Sequence, residues 1–348
     1  MVRAAAFAVP GDIATPTGGY AYDRRIIAEL GVLGWRAEVV SLGGGFPFPT
    51  VETRAAASAR LAALPRQHPI VVDGLAFGVL PEAAEAFRAS HRLIALVHHP
   101  LALETGLSAT DRAALQISER SALACARHVV ASSATTARLL AADYGVPPER
   151  LSVVEPGTDR VAARLRENGG EVVLLAVGAV IPRKGYDVLV AALARLAHLR
   201  WRLVIAGDGG RSPETFRRLE AEIAALDLAD RITLLGAVSA EQLASLYQRC
   251  DLFVLPSRFE GYGMVFAEAI AHGLPVVGTT AGAIPETVPD TAGVLVPPDD
   301  VEALAAALRR LIEDPAERER LAAAARAARF PSWREQAVAF ARLLESVA

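Results

Sequence analysis

Asp251-Leu252-Phe253-Val254-Leu255-Pro256-Ser257-Arg258-Phe259-Glu260-Gly261-Tyr262-Gly263-Met264-Val265-Phe266-Ala267-Glu268 reads as a strand, a loop and a helix in direct succession. The apolar run before Pro256 has the length of a buried strand, and from Gly263 onward Val265, Phe266, Ala269 and Ile270 fall at helical spacing. A helix starting there offers unpaired N–H groups and the positive end of its dipole, which suits a phosphate. Gly261 and Gly263 let backbone approach a ligand closely. Glu260 falls in the loop, whereas Glu268 falls about one turn into the helix with its side chain leaning back toward the start. Carboxylates repel a phosphate, so the pair reads as accepting hydrogen bonds from the hydroxyls of a sugar and a ribose. The alternative is that both glutamates complement the helix dipole and meet solvent.

The same order of elements recurs outward from this stretch. Short apolar runs at 4–9, 37–41, 70–72, 93–97, 128–131 and 152–154, then at 172–177, 202–206, 232–235, 252–255 and 275–278, alternate with longer alanine- and leucine-rich helical segments. Such runs are parallel strands buried on both faces between crossover helices. They form two halves of similar size, with Glu155-Pro156-Gly157-Thr158-Asp159 closing the first and a linker at 157–170. Phe330-Pro331-Ser332-Trp333 interrupts the helical pattern once more, and a last amphipathic helix over 334–347 follows with Ser332 as its cap. Ligands of open parallel sheets gather beyond the carboxyl ends of the strands, so two such halves are expected to face each other across a cleft.

Composition removes several classes of function. A chain of 348 residues with 52% hydrophobic residues and a net charge of -3 is long enough for two cores, and it lacks the basic runs of a nucleic-acid binder. Arg112, Arg120 and Arg127 recur in one helical region and read as a solvated face. No run reaches the length of a transmembrane segment, and the early apolar run ends at Pro10-Gly11, which favours a buried strand over a signal peptide. The expectation is a cytoplasmic protein, with peripheral attachment to the inner membrane as the alternative. Cys125 and Cys250 alone make neither a disulfide framework nor a metal site.

Other candidate residues fall at strand ends. Gly18-Gly19 lies between the first strand and first helix, without the full dinucleotide fingerprint. His98 and His99 follow the strand at 93–97, where a functional side chain is in reach of a ligand; adjacent residues diverge, and no H-x-x-x-H or D-x-D pattern completes a metal site. Arg183 and Lys184 follow the strand at 172–177 and suit a leaving diphosphate, or form an ordinary exposed basic pair. Gly207-Asp208-Gly209-Gly210 reads as a turn whose glycines leave room for a ligand and whose Asp208 caps backbone.

In order and spacing these pieces resemble the retaining GT-B glycosyltransferases of family 4, with their C-terminal E-x7-E element. The resemblance covers nearly the whole chain. It rests on Gly18-Gly19, His98, Val130-Ala131-Ser132-Ser133, the 153–159 segment, Pro182-Arg183-Lys184-Gly185, Gly207-Asp208-Gly209, Glu260 with Glu268, and Gly273-Leu274-Pro275-Val276-Val277 ahead of Gly282 and Pro285-Glu286. It implies an α/β fold of two Rossmann-like domains, residues 1–162 plus 331–348 for the acceptor and 163–330 for the nucleotide sugar. It also implies a nucleotide-diphosphate sugar donor, an acceptor that is a small molecule, glycan or lipid, no cofactor and no metal. Lys184, Arg183 and the amides of Gly263, Met264 and Val265 would hold the diphosphate, near Gly18, Gly19, Gly207, Gly261 and Tyr262. Glu260 would bind sugar hydroxyls and Glu268 the ribose; Gly236 and Val238 would flank the base, and His98 would line the reaction centre. One departure stands out: Ala179 follows Gly178 where the family usually carries arginine. A nucleotide-sugar epimerase or a phosphorylase of the same fold, or a weakened sugar-nucleotide-binding subunit, are the competing functions.

Overall fold

The computed structural model describes residues 3–159, 161 and 170–347. The chain divides into two compact units, Met1–Gly157 with Pro331–Ala348, and Thr158–Phe330. Most of the expected linker, and the expected boundary between 162 and 163, lie outside the described residues.

Each unit is built on a six-stranded sheet whose strands all pair in parallel. In the first unit the strands are β1 (Ala4–Val9), β2 (Arg36–Ser41), β3 (Pro69–Asp73), β4 (Arg92–Val97), β5 (His128–Ala131) and β6 (Leu151–Val153), in spatial order β2-β1-β3-β4-β5-β6. In the second they are β7 (Val172–Val177), β8 (Trp201–Ala206), β9 (Ile232–Gly236), β10 (Leu252–Val254), β11 (Val276–Thr279) and β12 (Gly293–Val296), in order β12-β11-β10-β7-β8-β9. Eleven of these strands coincide within a residue or so with the apolar runs, and β12 is an addition. Gly293-Val294-Leu295-Val296 is short and lies at the sheet edge, so its apolar run is too brief to stand out between the turn at 290–292 and Pro297.

Central strands of both sheets are buried on both faces, which explains their unbroken apolar runs. Phe7, Ile70, Val72, Ile94 and Ala95 in one unit, and Leu174, Leu203, Phe253 and Val276 in the other, have almost no exposed surface. Burying each of the larger of these contributes roughly 1.5–3 kcal/mol. Edge strand β2 is mostly exposed, as a strand covered by one neighbour only can be.

Strand order reverses between β1 and β3 in the first sheet and between β7 and β10 in the second. At such a switch point neighbouring connections leave toward opposite faces of the sheet and open a crevice beyond the strand ends.

The last helix, Trp333–Val347, belongs to the first unit. Phe340 stacks on Phe7 of β1 at 5.9 Å, Trp333 meets the ring of Tyr22 edge-on at 5.9 Å, and Arg25 lies 5.0 Å over the Trp333 ring. The expected cap is present: Ser332 Oγ accepts from Glu335 N while Glu335 Oε2 accepts from Ser332 N. Gly157 makes this return possible, because a Cβ there would lie 2.2 Å from the backbone nitrogen of Trp333.

Candidate active site

In the second unit the loops after β7 and β10 are laced together at the switch point. Arg258 N donates to Arg183 O at 2.8 Å, Arg183 Nη1 donates to Phe259 O at 2.8 Å, and the Arg258 guanidinium bridges Pro182 O and Asp187. Gly185, at φ 69°, sits so close to the Pro256 carbonyl that a Cβ would lie 2.2 Å from it. Gly282, at φ 58°, receives the Glu260 backbone in the same way, and Ala283 N donates to Glu260 O. The loops are therefore held as one rigid piece, and Glu260 is fixed before any ligand arrives.

Glu260 is the centre of this piece, with only 6% of its surface exposed. Its Oε1 accepts from Lys184 Nζ at 2.7 Å and from Ser257 Oγ at 2.6 Å, and its Oε2 accepts from Arg183 Nη1 at 3.2 Å. Burial works against the ionised carboxyl, but the charges of Lys184 and Arg183 and the hydrogen bonds outweigh it and hold the group down at about 2. The three charged groups together sum to one positive charge.

Next to them the helix Met264–Ala271 begins at Gly263, which has φ 89° and gives no side-chain cap to the first turn. Glu268, on this helix, engages a different partner: Tyr247 Oη donates to its Oε2 at 2.9 Å. Gly261 and Tyr262 are buried in the loop, and Thr287 Oγ1 donates to the Tyr262 carbonyl. At the ends of β8 and β9 the picture departs from expectation. The space left by Gly207 is filled by the Gly178 carbonyl, 1.8 Å from where a Cβ would stand, and that of Gly209 by the Phe216 ring. These glycines make room for the protein itself. Asp208 does cap its turn, accepting from Gly210 N at 2.8 Å, and Gly236, at φ 70°, accepts from Gly207 N. Val238 is half-buried in the following loop.

In the first unit the helix Gly18–Val32 starts at Thr17, whose hydroxyl accepts from Tyr20 N. Gly19 is pressed against His98, where a Cβ would lie 2.9 Å from the imidazole Cδ2. The two histidines diverge as expected: His98 Nε2 lies 3.3 Å from Asp23 Oδ1 and 4.0 Å from Asp73 Oδ2, whereas His99 Nε2 lies 3.3 Å from Glu104 Oε2. Ser132 Oγ donates to the His98 carbonyl, and Glu119, buried in a neighbouring helix, accepts from Leu101 N at 2.9 Å. Burial pushes the Glu119 carboxyl up to about 8, against the pull of the Leu101 N–H and Tyr144.

The sequence reading missed Asp23, Asp73 and Ser257. Asp23 is spaced three and seven positions from the buried Ile26 and Leu30, which places it on the inward face of its helix. Asp73 ends β3 and caps the next turn through Leu75 N. Both positions were legible as polar residues where apolar ones were due. Asp23, Asp73 and His98 bring their side-chain polar atoms within 4.8 Å of one another, the one His and carboxylate cluster of this kind among the described residues.

Both units match known sequence families. Residues 158–328 match the model described as Glycosyl transferases group 1, and residues 14–161 match Glycosyltransferase Family 4. The chain belongs to glycosyltransferase family 4. The family-4 chain is 40% identical over 228 residues to a D-inositol 3-phosphate glycosyltransferase of Geodermatophilus obscurus, covering 60% of this chain and 50% of that one. It is 36% identical over 245 residues to a D-inositol 3-phosphate glycosyltransferase of Thermomonospora curvata, covering 62% of this chain and 56% of that one. It thus spans about half the length of the curated relatives it matches. Among solved structures it resembles sucrose-phosphate synthase from Thermosynechococcus elongatus, with a TM-score of 0.82 at 23% identity over 98% of both chains. It also resembles Anabaena HepE in complex with UDP and glucose, with a TM-score of 0.78 at 21% identity over 98% and 99%. The family-4 chain therefore has the α/β fold of the GT-B glycosyltransferases.

Proposed function

We propose that this chain transfers a sugar from a nucleoside diphosphate sugar to an acceptor hydroxyl, with retention of anomeric configuration and without a metal ion at the diphosphate. The observation that carries the reading is the buried Glu260 carboxylate with Lys184, Arg183 and Ser257 on its oxygens, beside the start of the helix Met264–Ala271. Two permanent cations and a helix dipole supply positive potential fixed in advance for a leaving diphosphate, so the charge that develops in the transition state meets groups already in position.

In this proposal Lys184, Arg183 and the amides of Gly263, Met264 and Val265 hold the diphosphate, and Glu260 accepts from hydroxyls of the sugar. Glu268, oriented by Tyr247, accepts from the ribose; Gly236 and Val238 flank the base. In the first unit Gly18 and Gly19 give backbone access to the phosphates, and His98 acts at the reacting sugar. The acceptor hydroxyl attacks from the face of the leaving group, and the departing diphosphate oxygen takes its proton. Arg183 shares Glu260 with Lys184 and so supplies a second cation although Ala179 carries none.

UDP-sugars are the first donors to test, because a solved neighbour holds UDP-glucose. A phosphorylated inositol is the first acceptor, from the names of the curated relatives. Calorimetric titration with UDP-, GDP- and ADP-sugars should show binding. Product mass spectrometry and NMR of the anomeric proton should then show transfer with the donor's configuration, unchanged by EDTA. Absence of binding to every nucleotide sugar overturns the reading; release of an altered sugar without an acceptor replaces it with an epimerase.

A further inference from the structure

The Asp23, Asp73 and His98 cluster lies beyond the ends of β3 and β4, against the first helix, and its electrostatics do not close if all three groups take their ordinary states. Asp23 is 1% exposed, and neither of its oxygens has an aligned hydrogen-bond donor in the protein. Asp73 is 4% exposed and receives a single N–H, from Leu75 at 2.7 Å. The His98 Nε2 stands 3.3 Å from Asp23 and 4.0 Å from Asp73, in contact as a charge but not aligned as a hydrogen bond. Other polar groups nearby are committed elsewhere. The Tyr22 ring lies edge-on to His98 at 5.2 Å with its hydroxyl donating to Val154 O, and Ser132 reaches only the His98 carbonyl.

Two ionised carboxylates buried side by side against a neutral imidazole would leave two uncompensated charges. One proton shared between the carboxyls and one carried by the imidazole bring the sum to zero and give the orphaned oxygens a donor. The titration directions agree. Burial, and after it the charge of Asp23, push the Asp73 carboxyl up to about 7, against His98 and the Leu75 N–H. For His98, burial pulls down, but the carboxylates of Asp23 and then Asp73 beside the ring outweigh it, and the net direction is upward.

We propose that Asp23 and Asp73 are positioning residues that share one proton and thereby hold the His98 imidazole charged and in a single orientation, so that the first unit presents a fixed cation at the end of β4. What that cation acts on rests on the transferase reading above; the proton arrangement does not.

The test is NMR of ligand-free protein labelled with 15N in its histidine rings, followed from pH 5 to 9. His98 should stay doubly protonated above the ordinary histidine midpoint of about 6.5, and Asp23→Asn and Asp73→Asn, checked for folding by circular dichroism, should each lower that midpoint. With a donor found, the same variants should lower kcat about 100-fold at neutral pH, the lower end of a general-acid effect, and move its alkaline limb downward while the donor KM changes little. A neutral His98 at pH 6.5 in the wild type overturns the proposal. So do ring signals that move only on adding Zn2+ or Mn2+, which would make the three groups a ligand set. A charged His98 in a protein inactive on every nucleotide sugar supports the cluster and sinks the transferase reading alone.

Discussion

In the second unit one buried carboxylate, Glu260, faces two permanent cations; in the first, two buried carboxylates, Asp23 and Asp73, face one imidazole. Both groups lie at or beside the switch point of a parallel sheet, where the fold opens a crevice. The difference is one of charge certainty. Lysine and arginine keep their protons across the accessible pH range, so Glu260 is locked ionised down to about 2. The aspartate and histidine cluster has no permanent charge of its own, and its protons are arranged by proximity alone. One half is a fixed anion trap, and the other is a balanced cluster whose charges titrate.

The sharpest way to break this contrast is to empty the trap. Glu260→Ala leaves Lys184 and Arg183 without their buried counter-charge, and loss of one member of such a pair costs about 3–5 kcal/mol of stability. Thermal and urea unfolding should show that loss together with abolished transfer; an unchanged midpoint would mean the ion cluster is decoration. Lys184→Ala should fold better and still lower turnover about 100- to 1000-fold, as loss of one transition-state charge contact does. Full activity in that variant would place the diphosphate elsewhere.

pH separates the halves without a substitution. A carboxyl whose folded value is raised binds its proton more tightly in the native state, so its contribution is complete below the unfolded value of about 3.9. For Asp73 that contribution is lost as pH rises toward about 7, and a raised His98 acts in the same direction. Glu260 has the opposite sign: its contribution is present above the unfolded value and lost only as pH falls toward about 2. Urea unfolding from pH 4 to 8 should therefore show a decline, to which the raised Glu119 also contributes, that Asp73→Asn makes shallower, whereas Lys184→Ala leaves it in place. Least in size, Tyr247→Phe removes the hydrogen bond that orients Glu268 and should cost about 1 kcal/mol, seen as a severalfold rise in donor KM with little change in kcat.

Much of this was legible from residue order. Strands buried on both faces announce themselves as unbroken apolar runs, and the glycine-hinged turn before Met264 announced a helix start. Arg183, Lys184 and Glu260 were named from separate loops, and the fold brings them into contact because Gly185 and Gly282 let those loops close on each other. Motif reading failed where a residue's meaning depends on what lies opposite. Gly207 reads as room for a ligand until the Gly178 carbonyl is found in that room. Asp23 reads as one more polar helical residue until its neighbours Ile26 and Leu30 are seen to face inward with it. Ser257 is silent in sequence and becomes informative only as a donor to Glu260.

The return of the last helix to the first unit sets an order of events during synthesis. A ribosome making this chain releases β1 to β6 early, yet the helix that covers Phe7 and Tyr22 with Phe340 and Trp333 emerges only after all of Thr158–Phe330. The numerically second unit has its whole sequence in hand first and can fold as a unit. The first must wait with an apolar face uncovered, so the half that carries His98 is the one finished last.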